Sequence, residues 1–90
     1  MNLRFDSGFE KDIKRIRDRS LKLRIENTIE HLERAKSLQE ISILKKLKGE
    51  KNYYRIRIGD YRMGFRFVHD TIIIERFLHR KEIYKFYPPQ

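Results

Sequence analysis

Four arginines flank the dipeptide Gly59-Asp60: Arg55 and Arg57 before it, Arg62 and Arg66 after it. Gly-Asp between two alternating runs is a two-residue hairpin signal. On a strand, residues two apart share a face. The turn therefore predicts a register. Ile58 faces Tyr61, Ile56 faces Met63 and Tyr54 faces Phe65, all apolar pairs that must meet a core. The opposite face sets Arg57 against Arg62 and Arg55 against Gly64. Like charges directly opposed across strands are destabilising, so stability alone does not account for this face. A charged sheet face is usually just solvated. Here the arginines concentrate on one register-defined face, and Gly64 among them is expected to leave space above the sheet. The guanidinium fork suits bidentate recognition of phosphate, which points to the anionic backbone of RNA. Glu75 is expected to neutralise part of the cluster, at Arg66.

The C-terminal tail adds His79, Arg80, Lys81, Tyr84, Lys85 and Tyr87. Histidine is the side chain best suited to proton transfer at neutral pH, which makes His79 a candidate acid or base. Tyr84 is a candidate for stacking on a base. Taken singly, a capping histidine and a core-edge tyrosine are the plainer readings; beside the arginines both become candidates. Upstream, Lys45-Lys46-Leu47-Lys48-Gly49-Glu50-Lys51-Asn52 reads as a basic loop or strand edge ending in turn residues. Lys46, Lys48, Lys51, Arg66, Lys81 and Lys85 are expected to track an RNA strand.

Other chemistries are poorly provided for. The chain has no cysteine, hence no disulfide, thiol nucleophile or Cys-ligated metal. His31, His69 and His79 lack metal-ligand spacing. There is no P-loop, dinucleotide fingerprint or nucleophile elbow. No cofactor is expected. The N-terminus lacks the long apolar region of a signal peptide, and no apolar run approaches the ~20 residues that span a bilayer. A cytoplasmic protein is expected.

The positioning elements follow from periodicity. Ninety residues allow one domain, expected over 1–90. The net charge of +9 is unevenly spread. Residues 1–44 hold 10 Lys/Arg and 8 Asp/Glu and read as a mixed, solvated surface, whereas residues 45–90 hold 12 and 5. A one-sided positive field attracts polyanions or an acidic protein. Residues 2–5 are a short strand. Ser7 and Glu10 fit a capping box opening a helix whose apolar face is Phe9, Ile13 and Ile16, with Asp12 among the solvent-facing charges. A second helix, about Ser20 to Ala35, carries Leu21, Ile25, Ile29 and Leu32. Residues 36–43 are ambiguous between loop and strand. From Tyr53 the period becomes 2, giving a three-strand meander with turns at Gly59-Asp60 and His69-Asp70. A short helical tail stopped by Pro88-Pro89 follows and is expected to be loosely held. The fold class is α+β: an N-terminal strand and α-helical hairpin packed on a mainly antiparallel sheet of about four strands.

Tyr54-Arg55-Ile56-Arg57-Ile58-Gly59-Asp60-Tyr61-Arg62, the later His79-Arg80-Lys81-Glu82-Ile83-Tyr84 and the upstream Leu47-Lys48-Gly49 together resemble the signature of the RelE/ParE toxin superfamily. The resemblance spans nearly the whole chain. It implies a RelE-like toxin of a type II toxin–antitoxin pair, one that enters the ribosomal A site and cuts mRNA there without a metal. In that reaction the ribose 2′-OH attacks the adjacent phosphate and leaves a 2′,3′-cyclic phosphate. The resemblance assigns Arg62 to the transition-state phosphate, Arg80 to the tail motif and Tyr84 to stacking on the substrate base. Arg55 and Arg57 stand where some RelE proteins have lysines. Arginine almost never gives up its proton, so these two are poor general bases. Lys48, Lys46 or His79 takes that role, or catalysis rests on charge stabilisation and positioning.

The resemblance also implies partners: an acidic antitoxin, the ribosome with its mRNA and rRNA, and operator DNA only through the antitoxin complex, with no membrane. The antitoxin is expected to cover the basic face or displace the tail. Two rival readings stay open at this point, a ParE-like inhibitor that binds DNA gyrase without catalysis and an inactive homologue that only binds its antitoxin.

Overall fold

The elements run β1 (Asn2–Phe5), α1 (Ser7–Lys14), α2 (Arg19–Arg34), a 3₁₀ turn (Leu38–Glu40), β2 (Leu44–Lys46), β3 (Tyr53–Ile58), β4 (Tyr61–Val68), β5 (Thr71–His79) and α3 (Arg80–Phe86). The structure, a computed structural model, describes residues 1–41, 44–46 and 52–88. The readings placed on Leu47-Lys48-Gly49, Lys51 and the Ile41-Ser42-Ile43 alternation fall wholly or partly outside the described residues.

One sheet has the order β1-β5-β4-β3-β2. β1 runs parallel to β5, and the other pairs are antiparallel. The expected α+β class holds, and short β2 adds a fifth strand at the edge. The β3–β4 register is the one that Gly59-Asp60 predicts: Arg57 pairs with Arg62, Arg55 with Gly64 and Tyr53 with Arg66. Gly59 has φ +59° at the first turn position, the left-handed conformation that a type II′ hairpin gives to glycine. At the β4–β5 turn His69 and Asp70 both take positive φ, 50° and 57°, as a type I′ turn requires. Past Gly64 the β4–β5 register shifts, with Gly64 opposite Arg76 and Phe65 opposite Ile74. Glu75 is the extra residue of this bulge.

The helical hairpin covers one face of the sheet. Phe9, Ile25 and Leu32 from the helices, with Ile16 from the connection between them, meet Ile56, Ile58, Met63, Phe65, Ile72, Ile74 and Phe77 from the strands in one buried cluster. Cross-strand partners Tyr54 and Phe65 stack at 5.4 Å, and Tyr61 stacks on Phe77 at 5.1 Å. Such offset aromatic pairs add to plain burial.

Several local expectations are corrected. The first helix has Asp6, not Ser7, at its N-cap, with no side-chain cap bond. Asp6 N–H still donates to Ile74 C=O at 2.9 Å, so strand pairing holds the backbone extended one residue before the helix. A full capping box forms instead at Ser37 and Glu40 of the 3₁₀ turn. Backbone N–H groups of Lys36 and Ser37 bond the Glu40 carboxylate and lower its pKa.

Asp12 is buried rather than solvent-facing. It lies three residues after Phe9 on the same helical face; the helix stops at Lys14, so Ile16, expected on that face, reaches the core from the connection instead. Its carboxylate accepts from Arg76 Nε at 2.8 Å, Arg76 Nη2 at 3.2 Å and Phe77 N–H at 2.9 Å. This bond raises the Arg76 pKa further. The three bonds tie α1 to β5 beyond the point where β1 stops pairing.

The space expected above Gly64 is filled. A Cβ there would stand 2.6 Å from Tyr87 Cε2. The Tyr87 ring lies on Gly64, is buried, and meets Tyr53 edge-on at 5.6 Å. Its hydroxyl donates to Glu75 Oε1 at 3.0 Å. With Ile83, also fully buried, it seats α3 on the arginine face. The expectation of a loosely held tail is thereby overturned through Tyr87.

Candidate nucleic-acid interface

Strand alternation and the β3–β4 register place Arg55, Arg57, Arg62 and Arg66 on the sheet face that α1 and α2 leave open. Their environments differ. Arg57 is exposed and Arg55 half-buried. Arg62 is only 9% exposed, and its Nη1 donates to Gly59 C=O at 3.0 Å and Tyr61 C=O at 2.9 Å. Those two bonds hold its guanidinium beside the turn. Arg66 is the member that Glu75 offsets, Nε to Oε2 at 3.6 Å, as anticipated.

The Nε atoms of Arg55, Arg62 and Arg66 are buried without a hydrogen-bond partner. Buried donors normally find acceptors, and an unmet one costs about 1–3 kcal/mol. The face has donors beyond what its acceptors satisfy, and its described ion pairing rests on one carboxylate, Glu75.

The tail motif arrives at the same place. Arg80 N–H donates to Asp60 C=O at 2.8 Å, fastening the start of α3 to the β3–β4 turn. Tyr61 pairs with His79 across β4 and β5, and their rings meet edge-on at 5.4 Å. Arg80 and Tyr84, four residues apart, lie on one side of α3; both are exposed, Tyr84 by 51%. Lys81 and Lys85 repeat the spacing, and Lys85 makes an exposed contact with Glu82 at 3.7 Å. His79 caps α3: its Nδ1 accepts from Lys81 N–H at 3.1 Å. That bond assigns the ring proton to Nε2 in the neutral imidazole. Nε2 then donates, and accepting a proton there would need the other tautomer and the loss of the cap.

Of the predicted site residues, Arg57 and Arg62 share the open face beside the β3–β4 turn, and Arg80 is fastened to that turn by its backbone, whereas His79 lies on the other face with Tyr61 and Phe77. Arg55 lies one pair further along the sheet, and Arg66 lies two pairs from Arg62 in the Glu75 and Tyr87 cluster. Lys46 is on edge strand β2, opposite Tyr54. Lys48 and Lys51 lie outside the described residues. Sequence reasoning named Tyr87 without a role and missed its contact with Gly64. A glycine inside a strand does signal close approach, but the occupant comes from an element 23 residues on. Burial first, and then the Glu75 charge, push the Tyr87 hydroxyl well above the ordinary phenol range. It stays protonated as a donor.

Comparison with known proteins identifies the family. Residues 3–84 match the family described as ParE toxin of type II toxin-antitoxin system, parDE. Toxin RelE3 of Methanocaldococcus jannaschii is 43% identical over 89 residues, spanning 98% of this chain and 100% of the relative. A chain of the RelB-RelE antitoxin-toxin complex from Methanococcus jannaschii superposes with TM-score 0.80 at 42% identity, over 94% of this chain and 99% of that one. A chain of the RelBE2 toxin-antitoxin complex from Mycobacterium tuberculosis gives TM-score 0.68 at 27% identity, over 88% and 90%. A match over most of the chain and close identity to a full-length relative lead to one conclusion: this chain belongs to the RelE/ParE superfamily of type II toxin–antitoxin toxins, as a RelE-type member.

Proposed function

We propose that this toxin is a ribosome-dependent endoribonuclease that cuts mRNA in the A site, and that the site lies where the β3–β4 turn meets the start of α3. The observation that carries this reading is the set of guanidinium donors exceeding their acceptors on one sheet face. A phosphodiester would pair with the guanidinium edges that the face leaves accessible, those of exposed Arg57 first.

In the proposed reaction the ribose 2′-oxygen forms a bond to the adjacent phosphorus while the bond to the 5′-oxygen breaks. The 2′-OH loses its proton and the 5′-oxygen gains one, leaving a 2′,3′-cyclic phosphate and a free 5′-OH. Charge builds on the phosphate in the transition state. Preorganised cations act best there, because they need no rearrangement as the charge develops. Arg62, held by two turn carbonyls, suits that task, with Arg57 opposite it and Arg80 arriving from α3. Tyr84 is exposed and available for stacking on a splayed base. Arg55, Arg66, Lys46, Lys48, Lys51, Lys81 and Lys85 would bind the flanking RNA strand. His79 Nε2–H would donate to a phosphate or leaving oxygen. The base is then Lys46 or Lys48, or the reaction runs on positioning and charge stabilisation. No step in this scheme calls for a metal.

The partner of the resting toxin would be an acidic antitoxin, since the relatives of known structure include antitoxin complexes. Contact with operator DNA would come only through that complex, and a ribosomal target implies a cytoplasmic protein. Among the described residues no helix is long and apolar enough to cross a membrane.

Inducing the chain without an antitoxin and mapping 5′ ends on a translated mRNA tests the reading. Cuts within the reading frame that vanish when translation initiation is blocked are expected. Intact mRNA together with DNA breaks would replace this reading with the gyrase-directed one. Normal growth would identify an inactive homologue.

A further inference from the structure

Arg76 starts on the arginine face but uses its charge elsewhere. Its cross-strand partner is Gly64, so its side chain leaves β5 on the open side of the sheet. It then turns over the sheet edge to α1, where Nε and Nη2 donate to the Asp12 carboxylate at 2.8 and 3.2 Å. The way is open because β1 pairs with β5 only as far as Ile74 and because Gly8 lacks a side chain. A Cβ on Gly8 would stand 3.0 Å from Arg76 Cδ. Asp12 is buried and also accepts from Phe77 N–H, so the carboxylate that grips the fork is itself tied to β5. With its charge offset in this way, Arg76 is not explained by phosphate recognition.

The same guanidinium carries the ring of Phe86, with Cζ 5.7 Å from the ring centroid. That lies inside the range of about 6 Å for a cation–π contact. Phe86 is 52% exposed, so burial alone does not account for its place.

Helical geometry gives the contact a consequence. Ile83 and Tyr87 are buried, four residues apart, and form one line along the side of α3 that rests on the sheet. Anchors on one line resist sliding but leave the helix free to roll about it. Phe86 and Tyr84 lie on opposite flanks of that line, each about 80° from it at 100° per residue. Arg80 shares the Tyr84 flank, one turn earlier. Pinning Phe86 on one flank therefore sets the height of Tyr84 and Arg80 on the other.

We infer that Arg76 is a positioning residue: clamped by Asp12, it carries the Phe86 ring, sets the roll of α3 and so places Tyr84 for stacking on the substrate base. The inference rests on the nuclease proposed above for the role of Tyr84, and on packing alone for the roll of α3.

The test removes the aromatic face and keeps apolar bulk, in Phe86→Leu. Arg76→Lys keeps the charge without the planar fork, Phe86→Tyr serves as the rescue, and Arg76→Lys/Phe86→Leu completes a cycle. Both single variants should speed amide exchange in residues 80–87 several-fold and leave β4 at the wild-type rate. Single-turnover cleavage at saturating ribosomes should fall about tenfold in each and no further in the double variant, because both act through one contact. Ribosome affinity should stay at the wild-type value, and Phe86→Tyr should restore exchange and rate together. Losses that multiply in the double variant would overturn the proposal. So would wild-type exchange or wild-type cleavage in Phe86→Leu, or a Phe86→Tyr variant as slow as Phe86→Leu. Wild-type protein that leaves mRNA whole would sink the nuclease reading, and exchange in residues 80–87 would then decide the clamp by itself.

Discussion

The two ends of the arginine face are built from similar residues and end in different states. At the turn end, Arg57, Arg62 and the start of α3 meet around Gly59-Asp60; two carbonyls hold the Arg62 guanidinium, and among the described residues no carboxylate pairs with Arg57, Arg62 or Arg80. At the far end Arg66 faces Glu75, and the Tyr87 ring closes over Gly64. One end leaves its positive charge without a carboxylate among the described residues, whereas the other uses charge pairing and burial to dock α3. Arginine on a sheet is therefore not a function in itself. What separates the two ends is a carboxylate from a bulge and a tyrosine from the tail.

The largest effect expected from breaking this difference is at Tyr87. Tyr87→Ala removes a buried ring and opens a cavity over Gly64, which costs about 3–5 kcal/mol for a large aromatic. In a domain whose whole stability is about 5–15 kcal/mol, the denaturant midpoint should fall steeply, with the m-value close to wild type. A loss under about 1 kcal/mol would mean that the far end is not held by this ring.

Gly64→Ala attacks the same contact from the sheet. Its Cβ would meet ring carbons at 2.6 and 2.7 Å, and overpacking of this kind costs about 1–3 kcal/mol. The variant should release α3 in part, seen as faster amide exchange in residues 80–87. Exchange rates equal to wild type would remove the glycine from the account.

The smallest effect is in alkali. The folded chain holds the Tyr87 proton above the ordinary value of 10.0. The stabilisation from this group is full below that pH and is lost progressively as pH climbs past it, because the unfolded chain ionises first. Tyr87→Phe keeps the ring and drops the titration. The gap between wild type and Tyr87→Phe should therefore narrow above about pH 10; a constant gap would contradict the stated cause.

Much of the turn end was legible in the sequence. Gly59-Asp60 and strict alternation determine which arginines oppose one another, and the motif ending in Tyr84 belongs to the same place. Glu75 as the partner of Arg66 follows from strand alternation in the meander. The far end was not legible, because Tyr87 reaches Gly64 only after α3 folds back across the sheet, and no local periodicity encodes that return. Asp12 lay between these cases. Its spacing from Phe9 marks the buried side of α1, but its partner Arg76 is 64 residues away.

The most direct test of the division compares Arg62→Ala with Arg66→Ala for cleavage of ribosome-bound mRNA under single-turnover conditions. Loss of a preorganised donor from a developing charge lowers rates by about 10²–10³-fold. The account predicts that fall for Arg62→Ala and less than about tenfold for Arg66→Ala, whose charge is offset by Glu75. Equal losses at both positions, or near wild-type cleavage by Arg62→Ala, would contradict it.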